Sequence, residues 1–403
     1  MQLARISKTS DRFGRYYTDE NVAALLVDGM GMPSPNLVID LGAGDGALVG
    51  AASRKWAGAR FVTVDIDACA GRPQLHGKEI SSVHHVGDAL EDNLYQRIGV
   101  LHGTVDSALC NPPYVRPKWQ RHFSAMLEDA GLSGVMPKIG GMPADVLFIA
   151  QNLRFLRKGG KLGLILPDGI IAGEKFSRFR RALATAHRLE RVIELPRRVF
   201  RNTDAKAHIV ILTKHFSPQN TIQVQRLDES GSLTSPLALS TDRAGNRLDY
   251  SYLASLQPES NSPLTRVRDV VEMLTRGPYS SVDRLHCRHP VFHTTDFEKD
   301  RVGVPNEFVL SQAVAEELPG AVARAGDILL ARVGRNLEEK VCSVTRGFVA
   351  ISDCVFVLRV QAEYRTRVLS RLLSSDGRKA LAALSHGVGA RFITVDSLLN
   401  LSI

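Results

Sequence analysis

A chain of 403 residues, 44% hydrophobic and 23% charged, has the balance of a globular protein with room for two domains, which excludes a disordered polymer, a collagen-like repeat and a coiled-coil rod. Its five cysteines (Cys69, Cys110, Cys287, Cys342, Cys354) are odd in number and form no C-x-x-C pair, so neither a disulfide framework nor a zinc knuckle is encoded and a reducing cytoplasm is the expected compartment. The formal charge of +9 is concentrated: residues 151–215 hold 15 Lys and Arg against 5 Asp and Glu, a local +10, which points to a polyanion such as nucleic acid, with a merely solvated basic face as the alternative.

The N-terminal MQLARISKTSDRFG lacks the apolar core of a signal peptide, and no later run approaches the roughly 18 apolar residues of a membrane span, so no membrane partner is expected. Thr18 is expected to cap a helix with an acidic first turn (Asp19, Glu20) that ends at Gly29. Strands follow at Leu37–Leu41, Phe61–Asp65, Val83–Val86 and Val105–Cys110. A helix over Asp145–Lys158 is stopped by Gly159, and further strands lie at Lys161–Leu166, Leu189–Leu195 and His208–Thr213. Apolar runs alternating with helical periodicities indicate an α/β domain with a mostly parallel sheet. Residues 216–262, rich in Ser, Asn, Gln, Asp and Pro, read as the connection to a second, smaller α+β domain. That domain shows short strands in ARAGDILLARVG, KVCSVTRGFVAIS and DCVFVLRV and a helix near Arg365–Leu384. The division is placed at 1–245 and 246–403.

Two segments carry chemistry. In VIDLGAGDGAL (38–48) a buried strand breaks into a glycine turn and a helix, an arrangement that lets backbone approach a nucleotide. Gly42, Gly44 and Ala47, with Asp65 ending the next strand, also satisfy a dinucleotide fingerprint. Asp40 separates the two cases, because a carboxylate two residues before the first glycine suits a cationic ligand better than a pyrophosphate. In NPPY (111–114) two prolines remove backbone donors and leave carbonyls beside the Asn111 amide and the Tyr114 ring. Those are the acceptors and the stacking face that an exocyclic amine on a planar base requires.

With these motifs in this order, residues 14–215 resemble the gamma class of S-adenosylmethionine-dependent N6-adenine DNA methyltransferases. The resemblance implies a Rossmann-like cofactor domain in which GRYYT (14–18) brings Thr18 to the methionine end of the cofactor; Asp19 replaces the usual following proline. It further implies that Asp40, Gly42 and Gly44 line the methionine and ribose, that Asp65 and Ile66 hold the ribose and adenine face, and that Asp88 reads the adenine amine. Ala89 stands where some members carry an aromatic ring. In VFRNTDAKAHIVIL (199–212), Phe200 matches the family's second aromatic against the target base, and Arg197, Arg198 and Arg201 are expected at phosphates. RLDYSYL (247–253), VFHTTDF (291–297), RAGDILLARVG (324–334) and the terminal segment 387–403 resemble a target-recognition domain of type I specificity subunits. One such domain implies a single site or half-site.

The expected function is therefore methylation of adenine N6 in double-stranded DNA within a restriction-modification system, with S-adenosylmethionine as cofactor, no metal, and a cognate endonuclease encoded separately. Asn111, Pro112, Tyr114 and Phe200 would handle the flipped base. Methylation of RNA or of a protein glutamine, N4-cytosine methylation, and a non-catalytic DNA specificity protein are the alternatives. PDGIIAGEK (167–175) has a nuclease-like look, but Glu174 and Lys175 are adjacent where one residue should separate them, and His84 and His85 lack ligand partners at metal spacing.

Overall fold

The structure, a computed structural model, describes residues 18–68, 81–135, 141–197, 206–215, 220–256, 265–299, 301–320, 322–386 and 391–403. Two compact units divide the chain, Met1–Tyr250 and Ser251–Ile403.

The first unit is built on β1 (Leu37–Leu41), β2 (Arg60–Asp65), β3 (Ser82–Val86), β4 (Val105–Cys110), β5 (Leu156–Pro167), β6 (Arg188–Glu194), β7 (Ala207–Thr213), β8 (Thr221–Arg226) and β9 (Leu237–Ser240). They form one sheet in the order β3-β2-β1-β4-β5-β7-β6-β8-β9. The strands from β3 across to β5 run parallel, so the loops after β1, β2 and β4 leave the same edge. β7 is antiparallel to both β5 and β6. Helices α1 (Glu20–Gly29), α2 (Ala47–Lys55), α3 (Leu94–Ile98), α4 (His122–Asp129), α5 (Ala144–Phe155), α6 (Asp168–Ala172) and α7 (Ser177–Ala186) complete the unit.

α1 and α2 bury Val22, Leu26, Leu48 and Ala52 with Val38, Leu109, Ile165 and Ile209 in one core. Close contact there depends on Gly163, where an added Cβ would stand 2.6 Å from Leu26 Cδ2. The next residues along the strands, Ile39, Leu164, Val192 and Val210, are also buried and point to the other face by the two-residue period of a strand.

Three local details differ from the sequence reading. Asp19, not Thr18, caps α1, its side chain accepting from Asn21 N. α5 ends at Phe155 because Leu156 already pairs with Val105 and Arg157 bonds Asp106 at 2.7 Å. The polar stretch expected to connect the domains carries β8 and β9, since Ile222 and Val224 alternate into the core of the sheet.

In the second unit, after α8 (Tyr250–Ser255), come α9 (Val267–Val270), β10 (Val271–Arg276), β11 (Val291–Phe292), α10 (Gln312–Glu316), β12 (Ala323–Arg324), β13 (Ile328–Ala331), β14 (Val333–Gly334), β15 (Val341–Ser343), β16 (Phe348–Ile351) and β17 (Val355–Val360). α11 (Arg365–Leu373), α12 (Ser375–Leu384), β18 (Arg391–Phe392) and α13 (Val395–Leu399) follow. β10-β17-β13-β15 and β11-β16-β12 are its main sheets. The expected single helix over 365–384 is two helices, split where Ser374 turns extended and caps α12 through Gly377 N. A two-pronged bond from Arg359 to Asp327, 2.8 Å on each prong, ties β17 to the turn before β13, and Val267 N bonded to Leu401 O brings the start and end of the unit together.

Candidate active site

The strand-to-turn break after β1 begins the site. Gly42 and Gly44 take φ of +80° and +54°, and a Cβ on Gly42 would meet the Phe148 ring at 3.2 Å, so glycine is required for both the turn and the close approach. The turn is held by Gly42 N bonded to Val64 O at 2.8 Å. Asp65, at the end of β2, accepts from Gly44 N and from Asp67 N, each at 2.8 Å, so one buried carboxylate fixes the loops of two adjacent strands. Beyond β3, Asp88 accepts from Leu90 N at 2.9 Å.

After β4 the chain enters Asn111-Pro112-Pro113-Tyr114. Asn111 Nδ2 donates to Thr18 Oγ1 at 3.0 Å, a bond that ties the loop to the start of α1 across 93 positions of sequence. Because Asp19 takes over the helix cap, the Thr18 hydroxyl is available for this bond. Ala144 N donates to Val115 O at 2.9 Å and pins the start of α5 behind the same loop.

These loops enclose a cavity of about 260 Å³. Thr18, Gly42, Gly44, Asp65, Ile66, Asp88, Ala89 and Asn111 all line it, which brings together residues from five separate segments of the chain. Asp40 is not on the lining. It lies two residues before the turn, 1% exposed, and neither carboxylate oxygen has a hydrogen-bond partner among the described residues. Burial first, then the charges of Asp65 and Asp45, push its carboxyl well above the usual carboxylate range. Pro112 and Tyr114 flank the lining, whereas Pro113 is part of it. Phe200, Arg198 and Arg201 lie outside the described residues.

Ala47 of the glycine motif also lines the cavity, and Ala43, Asp45, Leu48, Leu90, Val115, Pro117, Ala144 and Phe148 complete the wall and were not anticipated as lining residues. Phe148 carried a signal: α5 is buried on every side, Val146, Leu147, Phe148 and Ile149 in succession, so its apolar residues outnumber those on the periodic stripe. Asp145, 4% exposed in the first turn of α5, accepts from Val146 N at 3.0 Å, and burial pushes its carboxyl up to about 6.

At the same edge of the sheet, Lys206 at the start of β7 meets three buried carboxylates: Glu194 at 3.1 Å, Asp249 at 3.5 Å and Asp168 at 3.6 Å. Arg247 grips Asp249 at 2.8 and 2.7 Å, and His208 Nε2 lies 3.0 Å from Asp168. Asp168 of the nuclease-like PDGIIAGEK segment is thus committed to an internal network, and Leu195 N bonded to Ala207 O closes the base of the 196–206 connection.

The donor set suits a cation that also carries hydroxyls. A glycine turn without Cβ atoms gives access, Asp45, Asp65 and Asp88 stand on the lining, and the Asp40 carboxyl, without a hydrogen-bond partner among the described residues, is buried two residues before the turn, where a cation would favour its charged form.

The methylase subunit of the type I restriction enzyme MjaVII from Methanocaldococcus jannaschii is 24% identical over 229 residues, which is 50% of this chain and 37% of that subunit. Among solved structures, the type IIG restriction endonuclease BpuSI is similar in fold over 97% of this chain and 59% of its own, with a TM-score of 0.54 at 14% identity. The chain therefore spans well under two thirds of either relative's length. The N-6 DNA methylase family pattern matches residues 2–236, and over more than half of its length the chain belongs to that family.

Proposed function

We propose that the chain transfers a methyl group from S-adenosylmethionine to N6 of an adenine flipped out of duplex DNA, as the modifying part of a restriction-modification system, with the second unit selecting the sequence. The observation that carries this reading is the bond from Asn111 to Thr18 at the mouth of a glycine-lined acidic cavity. With its NH2 engaged by Thr18, the Asn111 amide turns its Oδ1 toward an incoming donor, and the Pro112 carbonyl lies next to it in the chain. Two acceptors on the N6 hydrogens localise the nitrogen lone pair for attack.

The Thr18 hydroxyl accepts from Asn111 and keeps its own proton to donate to a carboxylate in the cavity. Asp65 retains lone pairs for ribose hydroxyls beyond those used by Gly44 and Asp67, and Asp40 provides the counter-charge to a cation. Tyr114 offers a stacking face, with Phe200 assigned to the opposite face of the base. When bound, the cofactor would supply an electrophilic methyl on a sulfonium that can leave with its electron pair, with the surplus N6 proton released to water. Positioning and electrostatics supply the rate.

Expression in a methylation-free bacterial host, with single-molecule sequencing of the genome, tests the reading. N6-methyladenine at one short motif is expected, and Asn111→Ala should lower turnover by roughly 10²–10³-fold while leaving cofactor affinity within about twofold. An unmodified genome from soluble protein that binds S-adenosylmethionine would move the substrate to RNA or protein.

A further inference from the structure

The arginines of α7 divide into two kinds. Arg180 is 2% exposed and spends its guanidinium on carbonyls of Ile170, Gly173, Gly245 and Asn246, at 2.7–2.9 Å. Arg178 and Arg181, on the opposite side of the same helix, are exposed and have no ion pair or side-chain hydrogen bond among the described residues. With Ala182 and Thr185 they stand at helical positions i, i+3, i+4 and i+7, and this single face lines a shallow cleft whose other wall is Gly131, Ser133, Gly134 and Val135.

Several other cations of the unit are paired, Lys55 with Asp28 at 2.7 Å, Arg97 with Glu91 at 2.6 Å, Arg157 with Asp106 at 2.7 Å and Lys161 with Glu190 at 2.8 Å, whereas Arg54, Arg60, Lys158 and Arg243 are exposed without an ion pair among the described residues but line no cleft with a second such cation. Toward the catalytic loop the unpaired positive charge continues. Lys175, just before α7, and Arg116, next to Val115 of the cavity wall, are both exposed, and both draw the buried Asp145 carboxyl downward against the larger effect of burial. Arg116, Lys175, Arg178 and Arg181 thus form a set of exposed cations with no ion pair among the described residues, and the exposed Glu174 stands beside Lys175 in the chain. Over the six residues from Lys175 to Arg181 the cations cover about 9 Å at helical rise, against one phosphate of each strand per about 3.4 Å of duplex axis.

We propose that this set is the track for one strand of the duplex backbone, with Arg178 and Arg181 holding phosphates in the cleft and Lys175 and Arg116 leading toward the target base. The assignment rests on the DNA methyltransferase reading and adds to it which surface of the catalytic unit meets the duplex. These contacts orient the DNA and carry no sequence information.

The test measures binding of the full chain to a labelled DNA duplex by fluorescence anisotropy across a salt series, for wild type, Arg178→Gln/Arg181→Gln, Arg178→Lys/Arg181→Lys and, as a control on a paired surface, Lys55→Gln. The double Gln variant should bind at least about tenfold more weakly, with a plot of log affinity against log salt shallower by about 2, roughly one per lost phosphate contact. The double Lys variant should recover most of the slope. Lys55→Gln should match wild type, and cofactor affinity and the melting temperature should not move in any of them. An unchanged slope in the Gln variant of an enzyme that still methylates DNA overturns the track and leaves the methyltransferase reading intact. Wild-type protein that neither binds nor modifies duplex DNA overturns both, as does tighter arginine-dependent binding to an RNA duplex of equal length.

Discussion

Two aspartates of the first unit, buried to the same degree, are treated in opposite ways. Asp249, fully buried, sits in a fork from Arg247 with Lys206 at 3.5 Å; burial alone would raise its carboxyl, and those two cations hold it well below the ordinary carboxylate range. Asp40, 1% exposed, has no hydrogen-bond partner on either oxygen among the described residues, and the same burial drives its carboxyl upward. A buried charge that is paired and hydrogen-bonded belongs to the scaffold, whereas one left alone raises the energy of the empty protein and lowers it when a cation arrives. On the proposed reading, the difference separates the part of the unit that holds the sheet edge together from the part that would hold the cofactor.

The largest expected effect breaks the paired region. Lys206→Met keeps the volume of the side chain and leaves Asp168, Glu194 and Asp249 facing each other, which should destabilise the unit by about 3–5 kcal/mol, read from the urea midpoint. Since Asp168 and Asp249 both titrate lower when folded than when unfolded, their contribution is intact above the ordinary carboxylate range and is lost as pH falls below about 4. Wild type should therefore lose stability steeply below that pH and Lys206→Met far less; parallel curves would remove the network from the stability account.

Asp40→Asn should act in the other direction on stability. The folded chain holds the Asp40 proton more tightly than the unfolded chain does, so the cost of this group grows as pH rises through and beyond the ordinary carboxylate range. The amide variant should gain roughly 1–2 kcal/mol at pH 8, gain little near pH 4, and bind S-adenosylmethionine about tenfold more weakly by calorimetry. A gain in stability with undiminished affinity would detach Asp40 from the cofactor. The smallest effect is that of Thr18→Val, which removes one hydrogen bond to Asn111 and should lower turnover by about tenfold, equivalent to roughly 1.4 kcal/mol, with Thr18→Ser restoring it.

The contrast also marks how far the sequence could be read. Buried parallel strands are continuous apolar runs, so Leu37–Leu41 and Val105–Cys110 were legible to the residue. The glycine turn and the Asn-Pro-Pro-Tyr loop were legible because each needs residue types that little else in a chain requires. Lys206, Asp168, Glu194 and Asp249 come from four distant stretches and follow no period, so only the folded sheet brings them together. Ile222 and Val224 were hidden for a different reason: their strand is short and its exposed residues are as polar as a linker. Asp40 lies between these cases, since its place before the turn was readable but its lack of a hydrogen-bond donor among the described residues was not.

The order β5-β7-β6-β8 has a consequence for the chain while it is being made. Both neighbours of β6 come later in the sequence, so when residue 194 leaves the ribosome β6 has nothing to pair with and β5 still shows an open edge. A product cut short between β6 and β7 carries an open edge on β5 and a β6 unpaired on both sides, the form that invites edge-to-edge aggregation. Assembly of the sheet therefore waits for the segment that follows the basic connection, and β7 is the strand whose arrival closes it.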